Sequence, residues 1–136
     1  MPLQLELRND LASLEDAVVA LQDRLLADGL PQPVVDDARL VAEEVLSNAI
    51  RHGCVQHEVH ALAIQVERDE KWLRLEFSDD GAPYNPLVAE VPAIDAPIQE
   101  RPIGGLGVFL VCELAESVAY ERRDRRNVLL VVLRIH

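Results

Sequence analysis

The segment EEVLSNAIRHG, residues 43–53, predicts a helix that ends at Gly53. It carries three polar side chains, Glu44, Asn48 and His52, at steps of four residues. Asparagine and histidine are mediocre helix formers, and asparagine competes with the helix for its own backbone. Their regular spacing therefore needs an explanation other than helix formation.

An apolar face runs beside these polar residues on the same predicted helix. At about 100° per residue, the polar side chains drift by only about 40° per step, from the margin of the apolar face into it. Polar groups there usually point into a cleft or are hydrogen-bonded. A carboxylate and a carboxamide one turn apart can hold a hydroxyl proton and a hard metal ion, respectively. On spacing alone, a solvated face with i,i+4 pairing is the simpler interpretation. The apolar face comprises Val34, Ala38, Val41, Val45 and Ala49.

Length and composition bound the class of protein. The 136 residues predict a single domain, 1–136, and a hydrophobic content of 49% suffices for one core. The net charge of -11 disfavours nucleic acid, because phosphate contacts require clustered Lys and Arg. An acidic surface is compatible with a basic protein partner or a bound divalent cation, but solubility alone explains it. No signal peptide or membrane-spanning run is visible, and the two cysteines have apolar neighbours, so we expect a cytoplasmic protein without membrane contact.

Alternation, helical periodicity and turn residues predict the order β-α-α-β-β-loop-α-β-β. Asn9 or Asp10 is placed to cap the first helix, and Gly29 to end it. Strands segregated from helices predict an α+β fold, a two-layer α/β sandwich with a mixed, mostly antiparallel sheet covered on one face by helices. The predicted strands are 3–8, 60–68, 72–79, 117–122 and 127–135, and the predicted helices are 10–28, 33–52 and 105–116.

Residues 81–103 lose this periodicity and contain five of the eight prolines. A loop of this length inside a compact domain tends to be functional. We therefore expect a lid over about residues 82–103.

Two further segments suggest a binding site. FSDDGAPYNP (77–86) ends a strand with Asp79, whose carboxylate can accept a hydrogen bond from an exocyclic amine, while Gly81 lets a flat ring approach the backbone. An Asp-Gly turn is the alternative. GGLG (104–107) precedes a helix, where backbone N–H groups can face an anion. It fits neither the Rossmann nor the P-loop pattern.

A group of histidines and a cysteine imitates a metal site. His52, Cys54, His57 and His60 lie within nine residues. Their spacing matches no standard zinc pattern, and no second cluster exists elsewhere in the sequence. A turn with histidines at its surface is the better interpretation.

Taken together and in this order, the three segments resemble the Bergerat-type ATP-binding fold of gyrase, heat-shock chaperones, histidine kinases and MutL. Glu44-x-x-x-Asn48-x-x-x-His52-Gly53 resembles the N box, Asp79-Asp80-Gly81 the G1 box, and Gly105-Leu106-Gly107 the G2 box. Within that superfamily, the small size, the PYNP after the G1 box and the GGLGVFLV segment are most similar to the bacterial anti-sigma factor serine-protein kinases. The resemblance spans essentially the whole chain.

The resemblance implies ATP and Mg²⁺ as cofactors and a role for each matched residue. Glu44 would be the general base for a partner's serine or threonine hydroxyl, Asn48 would coordinate the magnesium ion, and Asp79 would bind the adenine amino group. His52 would support the helix end or the lid beside the nucleotide, and Arg101 in the lid would reach the terminal phosphate. The residues implied to line the nucleotide are Gly81, Gly105, Leu106 and Gly107.

Two positions depart from the resemblance. Relatives often carry a threonine on a late strand near the adenine, and Leu130 is predicted to stand at that point, which would remove a hydrogen bond or a bridging water. Tyr84-Asn85 replaces the commoner Phe-Asp after the G1 box, a change that would affect the lid more than the chemistry.

The resemblance therefore implies an ATP-dependent serine/threonine protein kinase that acts as an anti-sigma factor. Its partners would be an anti-sigma-factor antagonist, which it phosphorylates, and a sigma factor, and relatives commonly form homodimers. The alternative is a non-catalytic module that binds ATP or ADP and switches partners, although Glu44 favours the kinase. A histidine-kinase catalytic domain is expected to require a dimerisation helix pair, for which this sequence has no room.

Overall fold

The computed structural model describes residues 2–54, 58–88 and 105–135, which form three helices and five strands in the predicted order. The strands are β1 (Leu3–Arg8), β2 (Ala61–Arg68), β3 (Trp72–Asp79), β4 (Ser117–Arg123) and β5 (Arg126–Arg134). The helices are α1 (Leu11–Ala27), α2 (Gln32–His52) and α3 (Gly105–Leu114).

The strands form one sheet with the order β1-β2-β3-β5-β4. A mixed, mostly antiparallel sheet was predicted, and every strand pair in the described residues is antiparallel. The connections explain this result. Two successive helices between β1 and β2 return the chain to the opposite direction, and β5 lies between β3 and β4, which it opposes on both sides.

The predicted two-layer α+β architecture is confirmed. Successive side chains of each strand point to opposite faces of the sheet, and the face with the apolar side chains packs against the helices. Ile64, Leu75 and Val131 on the sheet and Leu21 and Val35 on the helices are fully buried in this core. Aliphatic residues supply most of the core, as the low aromatic content requires. No helix in the described residues is long and apolar enough to cross a membrane.

Local signals position the ends of α1. Asp10 is the cap residue, and its side chain accepts a hydrogen bond from the Ser13 backbone N–H at 2.7 Å. Asn9, the other candidate, instead ties the turn to the start of β2 through the Glu58 carbonyl (2.8 Å) and the His60 N–H (2.9 Å). Gly29 follows the helix with φ +80°, a conformation that favours glycine.

The third helix is shorter than predicted. It ends at Leu114 instead of residue 116, because the Glu116 N–H donates to the Val132 carbonyl at 2.8 Å and the chain has by then joined the sheet. Sheet pairing thus competes with the last helical turn for the same backbone group.

We predict that Asp10→Ala lowers the free energy of unfolding by about 0.5–2 kcal/mol, the usual cost of losing a helix cap. Urea denaturation monitored by circular dichroism measures this change. Asp16→Ala is the matched control, because Asp16 is an exposed aspartate within the same helix, and it should shift the free energy by less than about 0.5 kcal/mol. Equal effects of the two substitutions would contradict the capping role.

Candidate functional site

A cleft enclosing about 630 Å³ of empty space, part of it open to solvent, lies between α2, α3 and the ends of β3 and β5. Its floor is apolar, because Phe77, Leu129 and Leu62 face the helices from the sheet. Its polar side chains belong to a few residues that chain topology brings together from distant segments. These are Glu44, Asn48, Asp79, Tyr84, Tyr120 and Asn127. An apolar cavity with a few convergent polar groups is typical of a small-molecule site.

Helix α2 delivers Glu44 and Asn48 to one wall of this cleft. They lie one turn apart, with Glu44 half-buried and Asn48 only 4% exposed. The Asn48 amide makes no side-chain hydrogen bond to the described residues, although it borders the cleft. A carboxamide oxygen next to a carboxylate is a hard donor set of the kind that Mg²⁺ prefers. This wall therefore fits a magnesium ion held together with phosphate oxygens.

Strand β3 ends with Asp79, a buried carboxylate at the other end of the cleft. Its Oδ1 accepts hydrogen bonds from the Gly81 N–H (2.9 Å) and from Asn127 Nδ2 (3.0 Å). These two donors offset part of the cost of removing the carboxylate from water. Asp79 is thus presented as a fixed acceptor.

Gly81 and Gly53 touch each other, and this contact gives a steric reason for glycine at position 81. A Cβ on Gly81 would collide with the Gly53 carbonyl group, whose oxygen also accepts the Ala82 N–H at 2.8 Å. Glycine at 81 is therefore needed for packing against the end of α2, and it does not appear among the described residues that line the cleft. The role of Gly81 in admitting a flat ring stays a prediction.

Gly107, in the first turn of α3, lies next to Glu44, the residue implied to be the general base. A Cβ at this position would overlap the Glu44 carboxylate. The first turn of α3 therefore lies directly against Glu44. Gly105 begins the helix.

His52 does not follow the predicted drift into the apolar face. It is exposed at the last position of α2, and its ring stacks on Tyr84 with centroids 4.9 Å apart and planes inclined by 16°. Tyr84, and not His52, lines the cleft. Tyr84 lies in the first residues of the predicted lid, and the support of the lid by His52 stays a prediction.

The prediction for Leu130 was wrong. Alternation along β5 turns Leu130 to the face of the sheet away from the helices, opposite Glu76 and Ala119. Leu129 and Asn127 are the β5 residues that line the cleft. An alignment error of one residue along a strand moves the side chain to the opposite face of the sheet.

Asn127 is the functional residue that the sequence analysis missed. It is 6% exposed and lies opposite Asp79 in the register of β3 and β5. A signal was available, since a lone asparagine opens an otherwise apolar strand, and a buried amide requires partners. Tyr120 on β4 was missed as well, and its hydroxyl donates to Asn127 Oδ1 at 2.6 Å.

Some predicted positions lie outside the described residues. These are Arg101, residues 89–103 of the lid, and the side chain of Leu106. Of the histidine and cysteine group, His57 is also outside them, and His60 pairs with Asp80 at 2.9 Å. No group of three or more His, Cys, Asp or Glu side chains that could hold a metal ion occurs within 2–54, 58–88 and 105–135.

Both thiols near the cleft are held in the neutral form. Burial, reinforced by Asp79 and Asp80, raises the pKa of Cys54 to about 11. Burial and then Glu113 raise the pKa of Cys112, which lines the cleft. Because the thiolate is the reactive species, neither cysteine is activated as a nucleophile at neutral pH.

Comparison with known proteins gives matches over nearly the whole chain. Residues 7–133 match the family model of the histidine kinase-like ATPase domain. The serine/threonine-protein kinase BtrW of Bordetella bronchiseptica is 26% identical over 123 residues, which cover 90% of this chain and 87% of BtrW. The histidine kinase AdeS of Acinetobacter baumannii aligns with 97% of this chain and 68% of its own at 17% identity, with a TM-score of 0.49.

We predict that Gly81→Ala lowers the free energy of unfolding by about 1–3 kcal/mol, because the added methyl group meets backbone that cannot move aside. Gly107→Ala is the matched comparison. Its methyl group meets the flexible end of Glu44, and alanine is favoured over glycine in a helix by about 1 kcal/mol, so stability should change little. Chemical denaturation of the two variants tests the contrast, and a Gly81→Ala variant as stable as the parent would contradict the packing contact.

Proposed function

Because the chain belongs to the histidine kinase-like ATPase domain family, we propose that it binds ATP in the cleft and transfers the γ-phosphoryl group to a serine or threonine of a partner protein. The observation that carries this proposal is the convergence of Glu44, Asn48 and Asp79 on one cleft. Glu44 and Asn48 come from α2 and Asp79 from β3, which are far apart in sequence. Together they supply a general base, a metal ligand and a group that recognises the nucleobase.

Asp79 binds the nucleobase in this proposal. Its carboxylate is buried, oriented by two donors and next to the apolar floor formed by Phe77 and Leu129. A flat, mostly apolar ring with an exocyclic amino group matches that combination. The adenine of ATP or ADP has both properties, and the amino group would donate to the carboxylate.

Asn48 holds the magnesium ion in this proposal, and the ion supplies neutralisation of the charge on the phosphate oxygens. The side chain is suited to this role because it is buried at the cleft wall and its amide is not used by another described residue. The first turn of α3 lies against Glu44 on the same wall, where its backbone N–H groups favour anionic oxygens.

Glu44 accepts the proton of the attacking hydroxyl. It lies one turn before Asn48 and against Gly107, so it borders the place where the terminal phosphate would meet a partner's side chain. A carboxylate in that position orients the hydroxyl and takes its proton as the phosphoryl group is transferred. A module that only binds nucleotide does not need this carboxylate.

The identity of the substrate and partners is proposed from the resemblance and from the name of the relative. BtrW is a serine/threonine-protein kinase, which supports a hydroxyl-bearing protein as acceptor. We propose that the acceptor is an anti-sigma-factor antagonist, that the chain also binds a sigma factor in the cytoplasm, and that it forms a homodimer. The net charge of -11 suits a basic surface on such a partner.

We predict that Asp79→Asn weakens ATP and ADP binding alike, by about 1–3 kcal/mol, since the charge-assisted hydrogen bond to the amino group is lost. Isothermal titration calorimetry measures both affinities. Asp80→Asn is the matched control, because the Asp80 carboxylate bonds His60 and the Ala61 N–H on the other side of the chain. Unchanged affinity in Asp79→Asn would remove Asp79 from the base site.

We predict that Glu44→Gln lowers phosphoryl transfer by about 10²–10⁴, the usual effect of removing a general base, while ATP affinity stays close to that of the parent. Transfer of labelled γ-phosphate to candidate antagonist proteins is the assay. Asn48→Ala should differ by losing magnesium-dependent affinity as well.

Glu43→Gln is the control for this prediction, because Glu43 is the preceding residue of α2 and pairs with Arg39 at 3.0 Å. Its transfer rate should equal that of the parent. A Glu44→Gln variant that transfers phosphate at the parental rate would exclude Glu44 as the base. A parent that binds ATP but phosphorylates no antagonist would favour the non-catalytic module.

A further inference from the structure

Asn127 uses its complete hydrogen-bonding capacity inside the protein. Its Oδ1 accepts from the Tyr84 N–H (3.0 Å) and the Tyr120 hydroxyl (2.6 Å). Its Nδ2 donates to Asp79 Oδ1 (3.0 Å) and to the Ala82 carbonyl (2.8 Å). A carboxamide offers two donors and two acceptor positions, so nothing remains for a ligand.

The orientation of this amide follows from its partners. A backbone N–H can only donate, and a backbone carbonyl can only accept. The Tyr84 N–H therefore requires the oxygen of Asn127 on its side, and the Ala82 carbonyl requires the nitrogen on the other. The nitrogen end then necessarily faces the Asp79 carboxylate.

The first consequence concerns Asp79. With the Gly81 N–H and Asn127 Nδ2 both on Oδ1, this oxygen is occupied, and no hydrogen bond from the described residues reaches Oδ2. The carboxylate is held in one rotation and offers one oxygen to a ligand. Asn127 thus restricts base recognition to a single acceptor without touching the base.

The second consequence concerns residues 82–84. The same amide holds the Ala82 carbonyl and the Tyr84 N–H, so it fixes the backbone that leads from the base site into the predicted lid. The Tyr84 ring then lines the cleft and stacks on His52 at the end of α2. One side chain therefore connects the base acceptor to the start of the lid.

We infer that Asn127 is a positioning residue with two roles: it orients Asp79 toward the base, and it anchors residues 82–84 at the start of the lid. The orienting role rests on the proposed function, whereas the anchoring role concerns the chain itself. Tyr120 supports both roles through its hydroxyl bond to the Asn127 oxygen.

Two substitutions separate the roles. Asn127→Asp keeps the shape and both acceptor bonds but replaces the donor nitrogen by an oxygen, which faces Asp79 and the Ala82 carbonyl. Asn127→Thr places a hydroxyl donor beside Asp79. The two residues are directly opposite in the antiparallel pair, where Cβ atoms are about 5 Å apart, so the short threonine side chain still reaches the Asp79 carboxylate. The threonine side chain is too short to bond Ala82 and Tyr84 as well.

The measurements are ATP affinity by calorimetry and hydrogen exchange of the Tyr84 amide by NMR. Asn127→Asp should lower ATP affinity by about tenfold or more, the loss expected for a charge-assisted hydrogen bond, and should leave Tyr84 exchange close to that of the parent because the acceptor of the Tyr84 N–H is kept. Asn127→Thr should keep most of the parental ATP affinity, whereas its Tyr84 exchange should be about tenfold faster than in the parent because the acceptor of that amide is lost. Exchange of the buried Leu75 amide serves as the internal control for global unfolding.

Leu130→Thr is the matched control variant, because Leu130 lies on the same strand but on the opposite face, and both measurements should equal those of the parent. If Asn127→Asp does not fold, Tyr120→Phe replaces it. This change removes the hydroxyl that donates to the Asn127 side-chain amide, so it should speed Tyr84 exchange and weaken ATP binding by about two- to fivefold.

Each remaining outcome bears on one role. A folded Asn127→Asp variant with parental ATP affinity would overturn the orientation of Asp79. Parental Tyr84 exchange in Asn127→Thr would overturn the anchor. A parent that binds no ATP would overturn the proposed function and the orienting role with it, whereas Tyr84 exchange in the variants would still decide the anchor.

Discussion

The contact between Gly53 and Gly81 fixes the relation between helix and sheet on which the cleft depends. The end of α2 and the turn after β3 approach so closely that the Gly53 carbonyl accepts the Ala82 N–H, and no side chain fits between the two backbones. The steric need for glycine at this crossing lies at Gly81, because a Cβ there would collide with the Gly53 carbonyl group, whereas a Cβ on Gly53 would only be tight against the Ala49 carbonyl at 3.0 Å. Because α2 is a rigid rod, its end point also determines where Asn48 and Glu44 lie.

Hydrogen bonds around this crossing make a buried acidic site tolerable. Asp79 is removed from water in a chain of net charge -11, and it is stabilised by polar donors instead of a salt bridge. Arg122 stabilises the site without contacting Asp79, because its guanidinium donates to the Gly81 carbonyl at 2.9 Å and holds the turn after β3 in place. A carboxylate held by neutral donors keeps its charge available for a ligand, whereas a paired arginine would compete for it.

The two layers of the molecule divide the work between stability and binding. Helices α1 and α2 cover the sheet with a continuous aliphatic core, from Leu21 and Val35 to Ile64 and Val131. Helix α3 lies beside the cleft, with Val111 buried and Phe109 and Leu110 partly exposed. The site therefore lies at the border of the core, where apolar walls adjoin a few polar side chains.

Sequence patterns alone specified the elements, because alternation, helical periodicity and capping residues are local properties of the chain. They determined the two-layer α+β fold, the strands 3–8 and 72–79, and the spacing that places Glu44 and Asn48 on one wall. Tertiary structure decided the rest. The register of β3 with β5 selected Asn127 and Leu129 over Leu130, the approach of α2 to the turn explained Gly81, and the stacking of His52 on Tyr84 removed that histidine from the cleft. Each of these depends on a contact between residues at least 28 positions apart in the sequence. Local patterns carry no information about such contacts.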